Sequence, residues 1–200
     1  INASPFHSGK TLVREEMLCE RAVDNSVAIA YNNAVGGQDE LVFDGNGLII
    51  GHKGAVAARG LSFVEDLILH DLVLQGSARK GKLLRGERGN SPLRETAVKG
   101  FKNISKRPPL PSRSVIHLYY PSDILEALIL GTRDYVIKNG FRHVCVGLSG
   151  GIDSSVVASV AVAALGAESV TGVFMPSRYT SKKSLEDAGT IAKNLGIKML

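Results

Sequence analysis

Three features of the sequence predict an α/β protein in two parts. Residues 143–195 alternate apolar runs with helical periodicity, the order strand, helix, strand, helix that builds a parallel sheet with crossover connections. Residues 10–75 place one helical pattern ahead of several short strands, a sheet packed against a helix. Between them runs a basic stretch rich in Gly and Pro that supports no long periodic pattern.

In order along the chain, KTLVREEMLCERAVDN (10–25) is predicted as an amphipathic helix, with Leu12, Val13, Met17, Cys19 and Ala22 toward one side. VAIAYNN (27–33) reads as a buried strand and GGQDE as a turn. LVFDGNGLIIGHKGAVAARG reads as short strands joined at Asp44-Gly45 and Lys53-Gly54, both turn dipeptides. Residues 76–120 are predicted as a linker, ending in KRPPLPSRS. After it, Ser122 is expected to cap a helix with Ile124, Leu125, Leu128, Ile129, Tyr135 and Val136 along one side and Gly140 at its end. Residues 143–148 form the next strand and 154–165 the next helix, ending at Gly166. SVTGVFMP is a second strand. Ser181 or Ser184 opens a last helix, and GIKML begins a third strand.

Composition excludes several classes. The chain has 200 residues and 44% hydrophobic content, enough for a real core. No apolar run approaches the ~18 residues that suggest a membrane span, and no signal-peptide pattern is present. Two cysteines, Cys19 and Cys145, make neither a disulfide framework nor a metal cluster, so the expected setting is the reducing cytoplasm. The net charge of +5 is unevenly spread. Residues 75–114 hold eleven lysines and arginines against Glu87 and Glu95, while the remainder is net acidic. A general nucleic-acid-binding surface is therefore not expected. The basic segment reads as a solvated tether, with an acidic partner as the alternative.

The chemistry concentrates in GLSGGIDSS, Gly147 to Ser155, at the carboxyl end of a predicted parallel strand, where such sheets bind ligands. Gly150 and Gly151 allow unusual backbone angles and close approach. The amides that follow open a helix, where unpaired N–H groups and the macrodipole favour an anion. Ser149, Ser154 and Ser155 add hydroxyls. A carboxylate at Asp153 beside a phosphate needs a cation between them, and Mg²⁺ prefers oxygen ligands of this kind. The loop lacks the lysine of a Walker A motif, and its glycines do not make the dinucleotide fingerprint. A plain strand-to-helix turn, with Asp153 or Ser154 as N-cap, is the alternative for the glycines taken alone.

GLSGGIDSS resembles the pyrophosphate loop of the ATP pyrophosphatases. EALILGTRDYVIKNGF before it and VTGVFMPSRYTSKKSLEDAGTIAKNLGI after it resemble NAD synthetases. INASPFHSGK and NNAVGGQDELVFDG resemble the nitrilase-type glutaminase domain of the glutamine-dependent NAD synthetases. The resemblance implies the C-terminal part of a nitrilase-like α-β-β-α sandwich at 1–75, then the linker, then the start of an adenine-nucleotide-hydrolase-like parallel sheet at 121–200. The implied reaction is ATP-dependent amidation of deamido-NAD to NAD with glutamine-derived ammonia, through an adenylated intermediate, releasing AMP and pyrophosphate.

Carried over by motif, Gly147, Leu148, Ser149, Gly150, Gly151, Ile152, Asp153 and Ser154 bind ATP, Asp153 holds Mg²⁺, and Ser4 and Lys10 contact L-glutamine. The family often has arginine at the second of these places, and lysine keeps the charge but loses the bidentate fork. MPSR falls where the family's adenine pocket lies. A homo-oligomer is implied. The glutaminase Cys, Glu and Lys belong upstream of INASPF, so no catalytic residue is expected on this chain. Cys19 and Cys145 are read as buried packing residues, and Glu15 and Glu16 as solvated helix residues. The chain is thus expected to be an internal piece of such an enzyme, inactive alone. The alternatives are a non-catalytic nucleotide-binding piece or a tRNA-modifying ATP pyrophosphatase.

Overall fold

The computed structural model describes residues 2–72, 110, 113, 115 and 117–200, so most of the linker expected at 76–120 lies outside the described residues. The described residues up to His70 and from Arg113 onward pack as one compact unit.

Helix α1 (Lys10–Asp24) follows Gly9, whose φ of 78° turns the chain into it. Its buried residues are Arg14, Leu18 and Ala22, each one turn after the last, while Leu12, Val13 and Met17 are exposed. The predicted core face was therefore misplaced by part of a turn. The cause is Arg14: a charged side chain on the inner face, neutralised by a buried partner, is invisible to a hydrophobic pattern. Leu18 and Ala22 pack with Leu48 and Ile50 against one sheet of strands β1 (Ile29–Tyr31), β4 (Leu48–Ile50) and β5 (Val56–Arg59), ordered β1-β4-β5. Ile50 is fully buried, and truncation to Ala there costs about 2–5 kcal/mol. Cys19 packs at the rim of this core.

Strands β2 (Val35–Gln38) and β3 (Leu41–Asp44) form a separate antiparallel pair. Gly36 and Gly37, expected in a turn, lie in β2, and the turn is confined to Asp39-Glu40. Lys53-Gly54 does join paired strands, β4 and β5. Asp44-Gly45 does not: β3 and β4 lie in different sheets, so the chain crosses between sheets there. The strand expected over 27–33 shrinks to three half-buried or exposed residues.

Helix α2 (Ser122–Lys138) begins after Pro121, with Ser122 as its first helical residue rather than its cap. Its buried residues are Ala127, Leu130 and Val136, not a single stripe through Leu125, Leu128 and Tyr135, which are exposed. The helix is held by two neighbours, the β2–β3 pair and α3 (Ile152–Leu165), so its burial does not follow one face. Ala127 and Leu130 share a core with Phe6, Val35, Val42, Phe63 and Leu118.

The parallel sheet forms as expected, β6 (Val144–Gly147), β7 (Val170–Val173) and β8 (Lys198–Met199), in the order β6-β7-β8. Helix α3 ends at Gly166 after Leu165. Helix α4 (Lys182–Leu195) is capped by Ser181, whose hydroxyl accepts the Ser184 amide at 3.0 Å, and Gly196 closes it in a left-handed conformation. Ala158, Ala161, Ala188 and Ala192 let both helices sit close on Leu148, Val170 and Ile197. Cys145 is exposed on β6, against the expectation that it is buried. No helix among the described residues is long and apolar enough to cross a membrane.

Candidate functional site

Strand β6 delivers Gly147 to the edge of a cleft, and the Leu148 amide donates to the Val173 carbonyl at 2.8 Å, tying the loop to β7. Gly150 has φ 77°, and a Cβ there would run into the Ser184 backbone at the start of α4. Glycine is thus required twice, by backbone angle and by space. Gly151 is the N-cap of α3 in an extended conformation, with no side chain capping the helix. Neither Asp153 nor Ser154 takes that role. The first-turn amides of α3 therefore have no intrahelical acceptor and lie at the positive end of the macrodipole.

The loop's hydroxyls hold its shape. The Ser149 amide donates to Ser154 Oγ at 3.2 Å, the Gly151 amide donates to Ser149 Oγ at 3.2 Å, and Ser154 Oγ and Ser155 Oγ donate to the Gly151 carbonyl at 3.0 and 2.9 Å. Ser154 is thus first a brace for the loop. Asp153 is exposed in the first turn of α3. Among the described residues no set of three His, Cys, Asp or Glu side chains could cage a metal. One carboxylate beside hydroxyls and open amides fits Mg²⁺ in its common mode, shared between a protein carboxylate, ligand phosphates and water.

A cleft of about 420 Å³ adjoins the loop, lined by Gly147, Leu148, Ser149 and, opposite, Met175, Tyr179 and Ser184. The sequence reading stopped at MPSR. Tyr179, Thr180, Ser181 and Ser184 also line the cleft; Ser181 and Ser184 entered the sequence reading only as candidate helix openers, and their hydroxyls bond each other at 2.9 Å. Arg178 stacks over the Tyr179 ring at 5.0 Å from its centroid.

Ser4 and Lys10 come together at the other candidate site. Asn2 bridges to Asn33 and Pro5 to Phe43, which seats the segment along the strands. The Ser4 amide donates to Asn33 Oδ1 at 2.8 Å, and Asn33 Nδ2 donates back to the Ser4 carbonyl at 3.0 Å. Lys10 Nζ donates to the Pro5 carbonyl at 3.1 Å. Both residues are half-buried. Beneath them Asp44, fully buried, takes hydrogen bonds from Thr11, Arg14, Asn33 and Asn46. Asp44 lies within NNAVGGQDELVFDG, one of the stretches that resemble the glutaminase domain, but it carries no site role in the sequence beyond half of a turn dipeptide. A larger cleft of about 550 Å³ shares Asn33 and Asn46 with this network, but neither Ser4 nor Lys10 lines it.

Glu15 is not a solvated helix residue. Arg59 donates to both its oxygens at 2.6 and 2.8 Å and holds its carboxyl below the usual carboxylate range, against the opposing effect of burial. Burial pushes the Cys19 thiol up, and the Glu15 charge adds to it. A thiol held neutral in this way is a poor nucleophile, which agrees with a packing role.

A strand ending in a glycine loop, an uncapped helix N-terminus over a cleft and a parallel neighbour strand form the arrangement that nucleotide-binding α/β proteins use for anions. Residues 124–200 match the family described as NAD synthase. Over 98% of its length the chain is 45% identical to a glutamine-dependent NAD(+) synthetase of Thermotoga maritima and 46% identical to that of Aquifex aeolicus. It spans about a third of each, 34% and 35%. A glutamine-dependent NAD(+) synthetase of Acinetobacter baumannii, solved in complex with ADP, superposes on all of the chain with a TM-score of 0.74 at 36% identity, 32% of that protein being covered. The enzyme from Cytophaga hutchinsonii, at 19% identity and a TM-score of 0.72 over 99% of the chain and 34% of its own, shares the fold. The chain is thus similar along nearly its whole length to about a third of these glutamine-dependent NAD(+) synthetases.

Proposed function

We propose that the chain serves in a glutamine-dependent NAD(+) synthetase, which amidates deamido-NAD with ammonia from L-glutamine at the expense of ATP. In this reading residues 1–75 belong to the glutaminase part, 76–120 link, and 121–200 open the synthetase part of a cytoplasmic homo-oligomer. The observation that carries the reading is the Gly150–Ser154 loop, braced by its own hydroxyls and opening onto the uncapped N-terminus of α3.

The chemistry assigns each group a task. A carboxylate is a poor acyl donor, and transfer of AMP to it supplies a good leaving group for displacement by ammonia. The first-turn amides of α3 and the Ser149 hydroxyl receive phosphate oxygens. Asp153 would hold Mg²⁺, which neutralises phosphate charge when bound. The cleft wall at Met175 and Tyr179 supplies apolar surface for the adenine. Ser4 and Lys10 receive polar groups of L-glutamine, with the Lys10 ammonium suited to a carboxylate.

Calorimetric titration of the chain with ATP in the presence of Mg²⁺ tests the loop assignment. Saturable binding that weakens in Gly150→Ala supports it, and equal binding by both proteins contradicts it.

A further inference from the structure

Asp44 lies outside GLSGGIDSS and INASPFHSGK, the stretches with ligand-contacting residues, yet it ties the elements of the second together. It is fully buried. Arg14 Nη1 donates to both its oxygens at 3.2 Å, Thr11 Oγ1 to Oδ2 at 3.3 Å, Asn46 Nδ2 to Oδ2 at 2.9 Å and Asn33 Nδ2 to Oδ1 at 2.9 Å. The ion pair is not built for maximum strength. A guanidinium paired through two nitrogens makes the stronger fork, but here one nitrogen takes both oxygens, while Arg14 Nε and Nη2 are buried without a hydrogen-bond partner. The arrangement leaves the carboxylate free to accept from both asparagines as well.

Those extra bonds have a direction. Asn33, held by Asp44, grips the backbone of Ser4 through both its N–H and its C=O. Thr11 follows Lys10 in the first turn of α1, and Arg14 is one turn beyond Lys10. One carboxylate therefore holds the extended segment bearing Ser4 and the helix start bearing Lys10. We infer that Asp44 is a positioning residue that fixes the spacing of Ser4 and Lys10 for L-glutamine, acting through Asn33 on one side and through Thr11 and Arg14 on the other. The inference rests on the proposed reading of Ser4 and Lys10 as glutamine contacts, and Asp44 itself does not touch the ligand.

The test uses the enzyme that carries this stretch, assayed for NAD formation with L-glutamine and, separately, with ammonium as nitrogen source. Asp44→Asn replaces an acceptor oxygen by a donor facing donors. Asn33→Ala removes the two bonds to Ser4 and the one to Asp44 Oδ1 but leaves the Arg14–Asp44 pair in place, so it serves where the first variant folds poorly. Misplacement of a binding group by about 1 Å costs up to roughly 100-fold. The KM for L-glutamine is expected to rise about tenfold or more in each variant, with ammonium-dependent kcat and the KM for ATP within about twofold of the parent. An unchanged KM for L-glutamine in both variants overturns the inference. So does a parallel fall of both activities, which would mark Asp44 as a residue of the fold alone. Ser4→Ala and Lys10→Ala, run alongside, separate the two readings. A raised KM in these with none in Asp44→Asn and Asn33→Ala sinks the inference alone, whereas no rise in Ser4→Ala and Lys10→Ala sinks the glutamine-contact reading and the inference with it.

Discussion

The carboxylate of Asp134 on α2 accepts the backbone amide of Gly37 on β2 at 2.8 Å, a hydrogen bond spanning 97 residues of sequence. Lys138 completes the clamp, donating to the Gly37 carbonyl at 2.5 Å and pairing with Asp134 at 3.1 Å. A Cβ on Gly37 would stand 3.1 Å from the Gly131 Cα, so the two backbones meet at glycine. The helix that opens the second half of the sequence is thus fitted to a hairpin of the first.

Asp134 gives that joint a pH dependence. Burial works against its charge, but the Gly37 amide, Lys138 and Arg133 outweigh it and hold the carboxyl below the usual carboxylate range. A carboxyl whose pKa is lower in the folded state stabilises the fold above its unfolded pKa, and that stabilisation is lost as pH falls through the folded value. Asp134→Asn should therefore cost about 2 kcal/mol near neutral pH and progressively less as the medium is acidified below the ordinary carboxylate range. Urea unfolding of both proteins across that range checks it; a pH-independent difference would contradict the charge-based account.

Gly150→Ala should fail locally. The substitution forces a Cβ into a positive-φ position and against the Ser184 backbone, a change that costs about 1 kcal/mol or more. Helix content by circular dichroism should stay near that of the parent while ATP binding falls. Undiminished affinity would mean that the loop tolerates a side chain the geometry excludes.

Asp153→Asn should separate metal-dependent from metal-independent binding. ATP affinity measured with Mg²⁺ should drop toward the value measured with a chelator, and the chelator value itself should not fall. Superimposable Mg²⁺ titrations of the two proteins would remove Asp153 from the metal site.

The two cysteines should differ in reactivity. Cys19 is half-buried with its thiol pushed up by burial, whereas Cys145 is exposed on β6. Iodoacetamide at mildly alkaline pH, followed by peptide mass spectrometry, should label Cys145 first. Faster labelling of Cys19 would indicate an activated thiol and reopen a nucleophilic role for it.

The second half of the fold was legible because its signals are local. Gly166 and Gly196 end helices, Ser181 caps one, and the alternation around 143–195 has a parallel sheet as its natural outcome. The Gly147–Ser155 loop was readable for the same reason, since strand, glycines and helix start are contiguous. The first half was harder. Arg14 and Asp44 are buried because each has the other, 30 residues away, and no periodicity reports such a pair. The inner face of α1 was misassigned accordingly and that of α2 because it packs on two neighbours at once, and Asp44-Gly45 was taken for a hairpin turn when it carries the chain between two sheets. At the candidate glutamine site the sequence showed Ser4 and Lys10 but not Asn33 and Asp44, which hold them from distant strands.

The most direct test of the central claim is an amide-resolved NMR titration of the chain with ATP and Mg²⁺. The account predicts that the strongest shifts fall on Ser149 to Ser155, with weaker ones at Met175, Tyr179 and Ser184 across the cleft. Shifts absent from the loop, or confined to the basic stretch from Arg79 to Arg107, would contradict it.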